Sequence, residues 1–193
     1  MQFYPDTYFH LYNRTNNNEL LFKNHKNYLY FLKQYRQRFS DIWDTLGYCL
    51  MPTHFHFLIR TKSESSGAHL QGGLHLSEIL SKQIGIWLSS YTKAINRQEN
   101  RHGSLFQCHS RAIPVTDEKY LLTLLAYIHQ NPLRSNLVEK LEDWPFSSFP
   151  DYAGLRDGTL LNKQLIVPWF RTKEEFIIFS NAILKNIDPK VWI

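Results

Sequence analysis

Two pairs of residues in this sequence have the types and spacing to do chemistry. His54 and His56 flank Phe55 in the stretch MPTHFHFLIR, Met51–Arg60. On a strand, residues two apart share a face and lie about 7 Å apart, so two imidazoles can converge on one metal ion. Phe55 and Phe57 then point to the opposite face, into a core. Two half-exposed histidines without a ligand would give the same alternation. The second pair is Tyr127 and Asn131, one helical turn apart in LLAYIHQNPLRSN, with Gln130 close by. A phenol can be a nucleophile and an amide oxygen can ligate a hard cation. A core tyrosine hydrogen-bonded to Asn131 would use the same residues.

Taken together, the pairs describe a reaction. A phenol with a pKa of about 10 is a poor nucleophile until a cation stabilises the phenolate. A metal held by two histidines and an amide would also polarise a phosphoryl oxygen during in-line displacement. Attack by tyrosine on a DNA phosphodiester leaves a covalent phosphotyrosine and keeps the bond energy for rejoining, which hydrolysis by water discards.

The elements that must hold these groups follow from periodicity. Tyr8–Arg14 alternates aromatic and polar residues and reads as a strand, followed by a polar turn at Thr15–Asn18. Tyr28, Phe31, Leu32 and Tyr35 mark a helix from about Asn24 to Phe39. Asp44–Pro52 and His54–Arg60 read as a hairpin, and Thr61–Gly73 as a flexible polar loop. A helical stripe runs from Leu76 to about Asn96, Leu105–Val115 reads as a strand, and a helix capped by Thr116 is expected to stop before Pro132. Lys173–Asn186 reads as a last helix. Strand, helix, strand, strand, helix, strand, helix is an α+β order, and it predicts a ferredoxin-like antiparallel sheet with helices packed on one face.

Bulk composition sets the limits. With 193 residues, 43% hydrophobic and 15% aromatic, the chain can bury a sizeable core, which excludes a disordered protein. Lysine and arginine outnumber aspartate and glutamate 22 to 17, a net charge of +5 that suits a polyanionic partner. Cys49 and Cys108 form no disulfide framework and read as buried thiols. The start MQFYPDTYFHLYNR lacks the pattern of a signal peptide, and no apolar run reaches spanning length, so a cytoplasmic protein without a membrane partner is expected.

The His-hydrophobe-His strand after Met51–Pro52, with GSLFQ (Gly103–Gln107) and YIHQNPLRSNLV (Tyr127–Val138) following in order, resembles the one-tyrosine HUH transposases. More narrowly it is similar to the REP-associated tyrosine transposases, from YFHLYNRTNNNELLF through GSLFQCHSRAIPV to WPFSSFPDY. The resemblance implies a catalytic domain over residues 1–138 and an extension, 139–193, packing on it or gating it. It implies a divalent cation, Mg or Mn, and cleavage and rejoining of single-stranded DNA at hairpins from repeated palindromes. His54 and His56 then become metal ligands and Tyr127 the nucleophile that takes the 5′-phosphate and frees a 3′-hydroxyl. Asn131 falls where the broader family often has a glutamine as third ligand, and Gln130 is the neighbouring amide. Arg14, Asn16, Asn17, Lys62, Arg111 and Arg134 are candidate DNA contacts. Monomer and homodimer both fit the resemblance. A sequence-specific DNA-binding protein with a regulatory role, or another HUH nuclease, are the rival readings.

Overall fold

The computed structural model of the chain describes residues 1–63 and 76–184. The polar loop expected over Thr61–Gly73 falls largely outside them, and the helix expected over Lys173–Asn186 ends at Asn181, where Ala182 turns to an extended backbone. Strand β1, Tyr8–Arg14, buries its five central residues. Helix α1, His25–Phe39, starts where the Asn24 side chain accepts from the Asn27 amide and ends with Arg36 and Arg38 near its negative pole. Strands β2, Trp43–Met51, and β3, His54–Thr61, are joined by Pro52 and Thr53 alone. Helix α2, Leu76–Gln98, leads to β4, Arg111–Val115. Helix α3, Glu118–Arg134, follows, and then the short α4, Phe149–Tyr152, and α5, Lys173–Asn181.

All strand pairs are antiparallel, in the order β2-β3-β1-β4, which is the ferredoxin-like arrangement. Helices α1 and α2 pack together over one face. There Phe55 and Phe57 of β3 meet Phe31, Tyr35 and Trp87, and Tyr35 stacks on Phe57 at 4.0 Å between ring centres. The other face carries the histidines. It is covered by α3 and by the C-terminal segment, whose Phe149, Tyr152, Ile166 and Phe176 join Leu121, Leu124, Leu125 and Ile128. This segment also lines the free edge of β2: Leu50 N donates to Phe146 O, Ser148 N to Tyr48 O and Asn162 N to Thr45 O, each at 2.9 Å. A covered edge offers no unpaired backbone to other chains.

Several local expectations need correction. The strand expected over Leu105–Val115 begins only at Arg111. Leu105 and Phe106 turn inward against the end of β1, where Gln107 N donates to Arg14 O in an isolated bridge, and Asn13 Nδ2 takes up Gln107 O and Ser110 Oγ, so Cys108–Ser110 stays out of the ladder. Asp117, not Thr116, caps α3, its carboxylate accepting from Tyr120 N at 2.9 Å. Helix α3 also runs through Pro132 to Arg134. Proline lacks the N–H that the Ile128 carbonyl would receive. Asn131 Nδ2 stands in, 3.4 Å from Ile128 O and 2.9 Å from Tyr127 O. Of the two thiols, Cys49 is buried and Cys108 exposed.

Close approach of α3 to the sheet depends on Gly47, where β2 carries an irregularity between Thr45 and Gly47. A Cβ there would overlap the Leu125 methyl of α3. Gly47→Val is therefore expected to cost about 1–3 kcal/mol by overpacking, read as a lowered midpoint in thermal denaturation; an unchanged midpoint would mean that α3 does not depend on this contact.

Candidate active site

The pairing of β1 with β3 sets Arg14 opposite His54 and Tyr12 opposite His56, while β4 brings Arg111 opposite Tyr12. Residues directly opposite in an antiparallel pair share a face. His54, His56, Tyr12, Arg14 and Arg111 therefore emerge together, on the side away from Phe55 and Phe57, and His10 joins them two residues before Tyr12. The rings of His54 and His56 lie 5.1 Å apart and nearly perpendicular, at 89°. The Tyr127 ring of α3 stands edge-on to His56, 6.1 Å away. Sequence elements some seventy residues apart thus meet on one surface.

Each histidine has its Nδ1 engaged. His54 Nδ1 lies 3.1 Å from Thr53 Oγ1, and His56 Nδ1 lies 2.9 Å from His10 Nε2. His56 is fully buried, and its Nε2 finds no hydrogen-bond partner among the described residues. A buried ring nitrogen without a partner is what a ligated metal ion would satisfy. Burial holds His56 well below the ordinary imidazole pKa, and burial together with the Arg14 charge pushes His54 down to about 4. Both rings are neutral at neutral pH, the form that binds metal. Among the described residues no group of three or more His, Cys, Asp or Glu could hold an ion.

Tyr127 is buried, and burial raises its phenol pKa, while Arg134, 5.7 Å from the ring centre, opposes the rise. Asn131 sits one turn further along the same helix face and is itself buried. Its Nδ2 is spent on the Tyr127 and Ile128 carbonyls. Gln130 is turned elsewhere: its Nε2 donates to Ser180 O at 2.7 Å and Ala182 O at 2.9 Å. Of the two amides, Asn131 is thus the one on the tyrosine's side.

The candidate DNA contacts divide. Arg14, Arg111 and Arg134 border the histidine face, with Arg14 donating to Asn18 Oδ1. Asn17 is exposed with a left-handed backbone, φ 54°. Asn16 is spent on the Ser104 and Phe106 carbonyls. Lys62 lies beyond the far end of β3 from His54 and donates to Ser40 O at 2.8 Å, next to the end of α1. His10, Tyr12 and Thr53 were not singled out in the sequence. The alternation in YFHLYNR placed His10 and Tyr12 on one face, but only the strand pairing reveals what that face meets.

No protein-family profile matches the chain. A Haemophilus influenzae protein provisionally named a REP-associated tyrosine transposase is 28% identical over 107 residues, 55% of this chain and 59% of that relative. The match therefore spans less than two thirds of the curated relative. A solved structure, a REP-associated tyrosine transposase bound to a REP hairpin, superposes with a TM-score of 0.60 at 16% identity, covering 80% of this chain and 83% of that one. The chain resembles the REP-associated tyrosine transposases in sequence and in fold. The sheet that carries the candidate site is thus built on the architecture of a REP-associated tyrosine transposase. No described helix is long and apolar enough to cross a membrane.

The site has a pH signature independent of activity. His54 is held at about 4, and burial holds His10 and His129 at about 3, all lowered from 6.5. Below pH 6.5 the unfolded chain therefore takes up protons that the folded chain refuses, and stability falls as the pH drops. The thermal midpoint is expected to be level above about pH 7 and to fall steeply towards pH 4, less steeply in His129→Gln. A midpoint insensitive to pH in that window would contradict neutral burial of these rings.

Proposed function

We propose that this chain is a metal-dependent transposase that cleaves and rejoins single-stranded DNA at repeat-derived hairpins through a 5′-phosphotyrosine. The observation that carries the reading is the neutral histidine pair beside Tyr127, with His56 Nε2 buried and unpartnered. His54 and His56 would hold Mg or Mn through Nε2, with the Asn131 amide oxygen as the third protein ligand. The bound cation would polarise a phosphoryl oxygen and stabilise phenolate charge.

The chain's own groups supply the rest. Tyr127 Oη gives up its proton and attacks the phosphorus, the bond from phosphorus to the 3′ oxygen breaks, and the 3′ oxygen takes up a proton in exchange and leaves as a hydroxyl. The 5′-phosphate stays on Tyr127, and a 3′-hydroxyl can reverse the step to join strands. Arg134 disfavours a neutral phenol through its charge, and Arg14 and Arg111 are placed to meet phosphates at the edge of the site. His129 bonds Ser148 Oγ at 2.7 Å, and Gln130 bonds the chain near α5, which ties α3 to the C-terminal segment. Hairpin DNA as substrate is supported by the solved structural neighbour, which was bound to a REP hairpin.

Labelled single-stranded hairpin DNA incubated with the protein and Mn is expected to give a covalent adduct on a denaturing gel. Tyr127→Phe should abolish it, and His54→Ala or His56→Ala should remove Mn binding along with it. Adduct formation by Tyr127→Phe would overturn the assignment, and binding without an adduct would favour a regulatory DNA-binding role. Arg14→Ala and Arg111→Ala are each expected to weaken hairpin binding and lower the salt slope by about 1, measured by binding titrations at several salt concentrations; unchanged slopes would place the DNA elsewhere.

A further inference from the structure

We propose that His10 is a positioning residue that fixes which ring nitrogen His56 offers to the site. This rests on the reading of His56 as a metal ligand. His10 is fully buried on β1, and its Nε2 lies 2.9 Å from His56 Nδ1 with the two rings close to parallel, at 13°. One proton is shared between these two nitrogens, and its owner decides what His56 can do. When His56 donates from Nδ1, its Nε2 keeps a lone pair facing the site. When His10 donates instead, His56 carries its proton on Nε2 and presents an N–H, which cannot bind a cation.

Neither arrangement satisfies both rings within the protein. His10 Nδ1 and His56 Nε2 are each buried without a hydrogen-bond partner among the described residues. Only with the proton on His56 Nδ1 is His56 Nε2 a lone pair that a cation can satisfy; the other arrangement moves the lone pair to His10 Nδ1 and leaves His56 an N–H. Tyr12 lies against both rings, 4.7 Å from His10 and 6.1 Å from His56 between centres, and limits their reorientation. His10 thereby does for His56 what a carboxylate or carbonyl does for many metal-binding histidines, accepting from the second ring nitrogen.

The test reads the tautomer directly, by ring nitrogen NMR on the full chain with labelled histidine and no metal. Wild type is expected to show His56 protonated at Nδ1. His10→Leu, which removes the acceptor, should bring out the Nε2-protonated form and weaken Mn binding about 10- to 100-fold, measured from free Mn by electron paramagnetic resonance. His10→Gln, whose amide oxygen can accept at the same place, should retain most of the affinity. Protonation of wild-type His56 at Nε2 overturns the proposal, and so does an unchanged tautomer and affinity in His10→Leu. Should His10→Leu not fold, the wild-type spectrum still decides. Wild-type His56 protonated at Nδ1 but no Mn bound would overturn the metal reading while supporting the placement of the proton by His10.

Discussion

Everything at the candidate site hangs on the register in which β1 pairs with β3. With His56 opposite Tyr12 and His54 opposite Arg14, the imidazoles share a face with two charged or phenolic side chains and with His10. A slip of one residue would turn both histidines into the aromatic core and bring Phe55 and Phe57 out under α3. That slip is prevented by burial, since Phe55 and Phe57 are enclosed by Phe31, Tyr35, Trp87 and Phe106. Burying a phenylalanine contributes roughly 1.5–3 kcal/mol. The aromatic face therefore locks the chemistry-bearing face in place without touching it. At the start of β3, the hairpin turn is pinned as well: Thr53 O accepts from Thr15 N at 2.9 Å and Pro52 O from Leu21 N at 2.6 Å.

The second constraint is electrostatic. Enclosing the site keeps His54, His56 and His10 neutral and the Tyr127 phenol protonated. Neutral imidazoles suit a cation, whereas a protonated phenol does not suit nucleophilic attack. The same burial thus creates the need that a bound cation would meet. Helix α3 delivers the tyrosine into this setting, held by Gly47 below it and by the His129 and Gln130 bonds to the C-terminal segment. Within the helix, Asn131 spans the gap that Pro132 opens in the backbone ladder and leaves its amide oxygen for other use.

Much of this was legible in the sequence, and the failures have physical causes. HFHFLIR declared its strand because apolar residues at every second position leave no other way to bury them. The helix over His25–Phe39 declared itself by Tyr28, Phe31 and Tyr35 recurring at helical spacing. Leu105–Ser110 misled because buried Leu105 and Phe106 resemble strand residues, although their burial comes from packing at the end of β1. Pro132 misled because the rule that proline ends a helix assumes no side chain repairs the lost bond, and Asn131 does so. His10 was invisible as a partner of His56 because forty-six residues separate them, and only the strand pairing brings them to 2.9 Å. Lys62 and Asn16 have the charge and polarity of DNA contacts, and the fold adds that each also donates to a backbone carbonyl of the protein.

The central claim is that Tyr127, beside the histidine pair, carries the DNA phosphate. Peptide mass mapping of the covalent adduct tests it most directly. Trypsin releases residues 120–134 as one peptide holding two tyrosines, Tyr120 and Tyr127. Fragmentation is expected to place the nucleotide on Tyr127. A nucleotide on Tyr120, on a tyrosine elsewhere in the chain, or on no tyrosine at all would contradict the account.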